Sequence, residues 1–139
     1  MSDKAASILE KLSHSERKKE SDVGPEALVE LAVQAMQDKK AKDIVRIDMR
    51  EVSEITDYFL VCTGESDLQI KAIVDAVEQG VKGETGERPW RTEGYEHRQW
   101  VVIDYVDVVV HVFDKERRGY YNLERLWADA PTDELGPPT

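Results

Sequence analysis

A chain of 139 residues fits one domain with a modest core, and with 35% of its residues charged it holds no apolar run near the ~18 residues that a membrane span needs. The single cysteine, Cys62, excludes an internal disulfide and points to a reducing cytoplasm. The 29 acidic and 19 basic side chains leave a net charge of -10, which disfavours direct phosphate-backbone binding and suits a basic protein as partner.

Residues 1–24 are polar and broken by Ser, Asp and Gly24. "MSDKAASILEKLSHSERKKE" lacks the apolar stretch of a secretory signal, and its acidic residues argue against a transit peptide. Ile8, Leu9 and Leu12 could line one short stripe, and the segment is expected to be a mobile extension. Pro25 suits the first turn of a helix, whose stripe is Leu28, Leu31, Ala32, Ala35 and Met36. "DIVRIDM" (43–49) alternates Ile44, Arg46 and Asp48 against Val45, Ile47 and Met49, the period of a strand. "DYFLVCT" (57–63) is a second, more buried strand that Gly64 ends.

Ser66 with Gln69 three residues on makes a capping box, and Ile70, Ile73, Val74, Val77 and Val81 form the apolar face of the helix it starts. Gly83 and Gly86 are expected in the loop that follows, and "RPWRTEG" in a short extended piece. "QWVVIDY" (99–105) and "VVVHVF" (108–113) are close enough for a hairpin. Asn122 can cap a last short helix with Leu123, Leu126 and Trp127 on one face, and residues 131–139, Pro-rich and acidic, are expected to be a disordered tail. The order α-β-β-α-β-β-β-α predicts an α/β fold with a mixed β-sheet and flanking helices, in one domain over 25–130.

Few residues invite catalysis. Asp104 and Asp107 bracket the hairpin turn, where two carboxylates could hold a divalent cation, but aspartate is also favoured wherever a chain reverses. "CTGESD" has one glycine and no following Lys-Ser/Thr, so it reads as a capped helix start and not a phosphate loop. His111 lies in a strand beside Val109 and Phe113 and reads as a structural group; His14 and His97 have no ligand spacing with it, so no metal and no cofactor are expected. The basic runs "KKAK" (39–42) and "KERR" (115–118) read as solvated faces. Tyr120, Tyr121, Leu123, Leu126 and Trp127 concentrate much apolar area in eight residues that end in a short helix, and aromatic side chains favour binding anchors.

Four stretches, "ITDYFLVCTGESD", the "EG" at 93–94, "WVVIDYVDVVVHVF" and "RRGYYNLERLWADA", resemble the ribosomal silencing factor family, also called Iojap-related, from about Pro25 to Ala130. The resemblance implies a nucleotidyltransferase-like fold without the catalytic signature. It also implies binding to large-subunit ribosomal protein fourteen, a block on joining of the small subunit, and repression of translation under nutrient limitation. A related organelle branch acts in large-subunit assembly. The family's conspicuous features fall on Thr56, Asp57, Thr63, Gly64, Glu93, Gly94, Trp100, Asp104, Asp107, His111, Tyr121, Leu123, Glu124, Leu126 and Trp127. Two positions depart from it: Val106 replaces a glycine between the turn aspartates, and Asn122 replaces an acid before "LE". A β-branched residue is costly at positive φ, so Val106 is expected to avoid the left-handed region.

The expectation is a cytoplasmic steric blocker without catalysis. Its anchors would be Tyr121, Leu126 and Trp127, with Trp100 in support, and Glu93, Asp107 and Glu124 would meet basic side chains. The alternatives are an assembly factor without silencing and a metal-dependent nucleotidyltransferase using Asp104 and Asp107. Self-association through exposed apolar residues of the last helix is also open.

Overall fold

A computed structural model describes residues 23–136, so nearly all of the expected N-terminal extension and the last three residues of the tail lie outside it. Helix α1 (Pro25–Asp38) opens on its proline and buries Leu28, Val29, Ala32, Ala35 and Met36. Leu31, expected in this stripe, is only partly buried, and Val29 takes its place. Strands β1 (Lys42–Asp48) and β2 (Tyr58–Gly64) follow, then α2 (Asp67–Thr85).

The expected Ile70-to-Val81 face is wholly buried, and α2 runs through Gly83, which sequence placed in a loop. Each buried Ile or Val contributes roughly 1.5–3 kcal/mol. A helical glycine costs only about 1 kcal/mol relative to alanine, so the five-residue stripe outweighs Gly80 and Gly83 together. The helix stops at Gly86, whose φ of 78° lets its N–H reach the Lys82 carbonyl. Ser66 Oγ accepts the Gln69 N–H as the capping box requires, at 3.0 Å, but Gln69 Oε1 returns to the N–H of Glu65, and its Nε2 donates to the carbonyls of Lys39 and Lys40. One glutamine thus joins the start of α2 to the end of α1.

Strands β3 (Arg91–Glu93), β4 (Trp100–Asp104) and β5 (Val108–Asp114) complete the expected set, and the chain adds α3 (Lys115–Tyr121), α4 (Leu123–Leu126) and β6 (Thr132–Leu135). The predicted last helix is α4, capped by Asn122 as expected, while α3 ahead of it is an addition; part of the tail expected to be disordered pairs antiparallel with β1, from Ile44 against Leu135 to Ile47 against Thr132. The sheet order is β3-β4-β5-β2-β1-β6; only β2 and β5 run parallel, so the sheet is mixed as predicted. One face, with Leu60, Cys62, Val101, Ile103, Val110 and Val112, is covered by α1 and α2. The other, with Phe59, Val61, Trp100, Val102, Val109 and Phe113, is met among the described residues by Met49, Leu123, Ala130 and the half-buried Tyr121, Leu126 and Trp127.

The β4–β5 turn corrects the expectation for Val106, whose φ is 75°. The Asp107 N–H donates to the Tyr105 carbonyl at 3.0 Å, the i-to-i+2 bond of a γ-turn centred on Val106, and that φ is the value of the rare, strained form. Its neighbours over-determine it. Tyr105 N–H donates to the Val108 carbonyl at 2.9 Å, and Asp104 Oδ1 accepts the Val106 N–H at 2.7 Å. The Asp107 carbonyl takes the N–H groups of both Asp57 and Tyr58. Strain of this kind costs about 1–3 kcal/mol, and glycine returns ~0.5–1 kcal/mol of it as lost chain entropy. Val106→Gly is expected to stabilise the fold by about 1 kcal/mol and raise Tm by several degrees; a calorimetric melting curve with unchanged or lower Tm would remove strain from the turn.

Candidate functional site

The thinly covered sheet face carries the aromatic cluster. Strand alternation turns Val109, His111 and Phe113 to this side of β5, and the register sets Trp100 of β4 opposite Phe113. His111 is 1% exposed. The Trp100 indole Nε1–H donates to its Nδ1 at 3.1 Å, so the imidazole is neutral with its proton on Nε2, an atom with no hydrogen-bond partner among the described residues. Phe59 meets the imidazole edge-on with centroids 4.6 Å apart. Desolvation alone pushes the His111 pKa down to about 3.

The two short helices set the outer layer. Asp114 caps α3 by accepting the Arg117 N–H at 2.7 Å. Asn122 then ends α3 in the left-handed region, at φ 44°, a conformation asparagine tolerates, and its side chain accepts the Arg125 N–H to begin α4. This reversal lays Tyr121 against Trp100, with centroids 4.5 Å apart, and Trp127 edge-on to Phe59 at 6.1 Å. Arg118, read from sequence as part of a solvated run, points inward: its side chain is 12% exposed, donates to Thr63 Oγ1 at 2.9 Å and pairs with Glu124 Oε2 at 2.9 Å. It ties α3 to the end of β2 and to α4.

The expected anchors Tyr121, Leu126 and Trp127 are half-buried and share this face. Trp100 is 1% exposed, so it supports Tyr121 from below and does not itself present a surface. Glu124 is engaged by Arg118, which leaves it less suited to meet a partner's cation than sequence suggested. Glu93 lies on edge strand β3 beside Arg91, and its cross-strand partner Val102 belongs to the aromatic face, so Glu93 shares that side about 10 Å from β5, two strand spacings. Asp107 is 9% exposed and sits in the γ-turn at the Phe59 end of the face. Tyr120, at 72% exposure, is the aromatic most open to solvent.

A second feature is a cleft of about 760 Å³ at the carboxyl ends of the parallel pair, where α2 and α3 leave to opposite sides of the sheet. It is lined by Lys42, Thr63, Gly64, Ser66, Arg98, Lys115 and Arg118 among others, and three of these cations are matched: Lys42 with Glu65 at 3.7 Å, Arg98 with Asp67 at 2.9 Å and Arg118 with Glu124. Asp104 and Asp107 lie at the other end of β5, about 20 Å away along its seven residues, and Asp104 is occupied by the turn. The pair therefore does not serve this cleft. Among the described residues no group of three or more His, Cys, Asp or Glu side chains is placed to hold a metal ion. Cys62 is fully buried with its pKa raised to about 12 by desolvation, which keeps it a thiol.

Comparison with known proteins adds to this geometry. Residues 22–138 match the family model described as ribosomal silencing factor during starvation. The chain is 52% identical over 108 residues to the ribosomal silencing factor RsfS of Halalkalibacterium halodurans, covering 78% of this chain and 92% of that one. It is 44% identical to its Bacillus subtilis counterpart over 78% of this chain and 92% of that one. A mouse protein named for mitochondrial assembly of the ribosomal large subunit is 27% identical over 76% of this chain and 47% of its own length. A crystal structure from Chromobacterium violaceum superposes with a TM-score of 0.74 at 33% identity, covering 83% of this chain and 96% of that one.

The buried imidazole makes stability depend on pH. His111 binds a proton in the unfolded chain near its ordinary pKa of 6.5 but resists one in the fold until about 3. Its contribution is thus intact above pH 6.5 and is lost as pH falls, by up to about 1.4 kcal/mol per pH unit. Denaturant unfolding at stepped pH is expected to show this slope between pH 6.5 and 5, and His111→Gln is expected to flatten it; equal slopes would place the acid sensitivity elsewhere.

Proposed function

This chain belongs to the ribosomal silencing factor family, and on that premise we propose that it represses translation under nutrient limitation by seating on ribosomal protein fourteen of the large subunit, where it sterically blocks joining of the small subunit. The observation that carries the reading is the shelf of Tyr121, Leu126 and Trp127, half-buried on a fully buried ring layer. A pre-positioned aromatic shelf supplies area at low entropic cost. The net charge of -10 supplies long-range attraction to a basic ribosomal protein, with Glu93 and Asp107 beside the shelf. The two bacterial relatives are named ribosomal silencing factors, and the pairing of Lys42, Arg98 and Arg118 with acids speaks against a nucleotide in the cleft. Cytoplasmic action fits this reading, and among the described residues no helix is long and apolar enough to cross a membrane.

A second reading, large-subunit assembly without silencing, draws on the name of the mouse relative and uses the same shelf. In the free state the shelf could also pair with a second copy of the chain.

Purified protein added to separated subunits is expected to co-sediment with the large subunit and to lower the yield of joined ribosomes. Unchanged joining at full occupancy would leave the assembly reading. Truncating a desolvated aromatic anchor commonly costs ~2 kcal/mol of binding, roughly thirtyfold. Tyr121→Ala and Trp127→Ala, checked for folding by circular dichroism, are each expected to weaken the complex by about that factor; wild-type affinity in both would move the interface off the shelf. Rising salt is expected to slow association in surface plasmon resonance while leaving dissociation nearly constant. An association rate indifferent to salt would remove steering.

A further inference from the structure

We propose that His111 is a positioning residue for docking: without touching the partner, its imidazole holds the two ring supports on which Tyr121 and Trp127 rest. The inference deepens the docking reading above and rests on it. Both supports converge on this one side chain. Trp100 is fixed in rotation by its Nε1–H···Nδ1 bond of 3.1 Å, and Trp100 carries Tyr121 at 4.5 Å between centroids. Phe59 packs edge-on against the same imidazole at 4.6 Å and carries Trp127 at 6.1 Å. Among the described residues neither anchor has a ring contact with His111 of its own: its influence reaches Trp127 through Phe59, and Tyr121 through Trp100 and, at longer range, through Phe113, which stacks on both His111 and Tyr121 at 6.3 Å.

The chemistry explains why histidine suits the place. Trp100 is 1% exposed, and a buried indole N–H needs an acceptor. An aliphatic side chain at 111 offers none, so the indole would be driven to turn in search of one, and Tyr121 would lose the surface it lies on. A neutral imidazole supplies an acceptor on one edge and a flat ring for Phe59. Besides the bonds of Arg118 to Thr63 and Glu124, the outer layer rests on the rings beneath it, because α3 and α4 are only seven and four residues long. Helices so short draw their stability from packing and not from themselves. The geometry of the shelf therefore depends on the layer beneath it.

The test separates positioning from plain stability. His111→Leu keeps approximate volume and removes the acceptor; His111→Asn restores an acceptor oxygen on the same γ branch as Nδ1. Two-dimensional NMR of the free chain, at a temperature where each variant is folded, reads the Trp100 and Trp127 indole N–H groups and the Tyr121 ring. His111→Leu is expected to move all three, and His111→Asn to return the Trp100 and Tyr121 signals toward wild type. Affinity for isolated large subunits is expected to fall about tenfold in His111→Leu, and less than about twofold when the same change is made on a Tyr121→Ala, Trp127→Ala background. Should His111→Leu not fold, Trp100→Phe removes the donor from the other side and is expected to displace the Tyr121 signals alike. A folded His111→Leu, or Trp100→Phe in its place, with wild-type Tyr121 and Trp127 signals, or an equal loss of affinity on both backgrounds, overturns the positioning role. A wild-type chain that does not bind large subunits overturns the docking reading itself, whereas wild-type and His111→Leu binding equally well removes only the part assigned to His111.

Discussion

The parallel pairing of β2 with β5 is the constraint on which the rest of the molecule depends. Every residue of β2 is buried, and every residue of β5 except the last. Such strands need cover on both faces, because exposing either would return a row of Val, Leu and Phe side chains to water. The chain meets this unequally. Among the described residues, helices of 14 and 19 residues close one side, while the other gets helices of seven and four and the segment that ends at Ala130. A cover that short cannot bury its own aromatic side chains completely. The shelf of Tyr121, Leu126 and Trp127 is what remains when an α/β sheet is closed with too little helix on one face.

Much of this was readable in the residues. Alternation placed β1 and put His111 beside Val109 and Phe113 on one face, and the five-residue stripe placed α2 with its Ser66 cap, because periodicity reports which side of an element is buried. The quoted motifs gave the family. What escaped involved partners distant in sequence. Alternation says that Trp100 faces one side of β4 but not that Tyr121 will lie over it, so its complete burial was not visible. The run "KERR" read as surface charge, although Asp114 ahead of good helix formers was an available start signal. The inward turn of Arg118 depends on Thr63, 55 residues earlier, and nothing local announces it. Strand β6 has only Leu135 as an apolar residue and acquires its structure from β1.

Charge divides between two tasks. Of the three acids picked out for a partner, Glu124 is spent on Arg118, whose nearly buried guanidinium would otherwise lack a counter-charge. Glu93 lies at the sheet edge and Asp107 in the strained turn, so the acidity that reaches a partner comes from the surface as a whole more than from one contact. That arrangement favours fast encounter over tight electrostatic grip. On the proposed docking, grip is left to the aromatic shelf, and the Asp107 turn borders the Phe59 end of the same sheet face through its bonds to Asp57 and Tyr58.

Strand β6 has a consequence for kinetics. By pairing Thr132 with Ile47, and with the Asp48 N–H donating to the Pro131 carbonyl, it anchors the chain just past α4. Trp127 thus stands on a short span fastened at both ends, by Arg118 and Asn122 before it and by the sheet after it. A four-residue helix at a loose chain end would have to order on contact, and the complex would bear that entropy. Clamped at both ends, the shelf would, on the proposed docking, meet its partner already in shape, as one rigid body meets another. An edge strand with a single apolar residue acts at a distance, then, as a buckle that moves the cost of ordering from association back to folding.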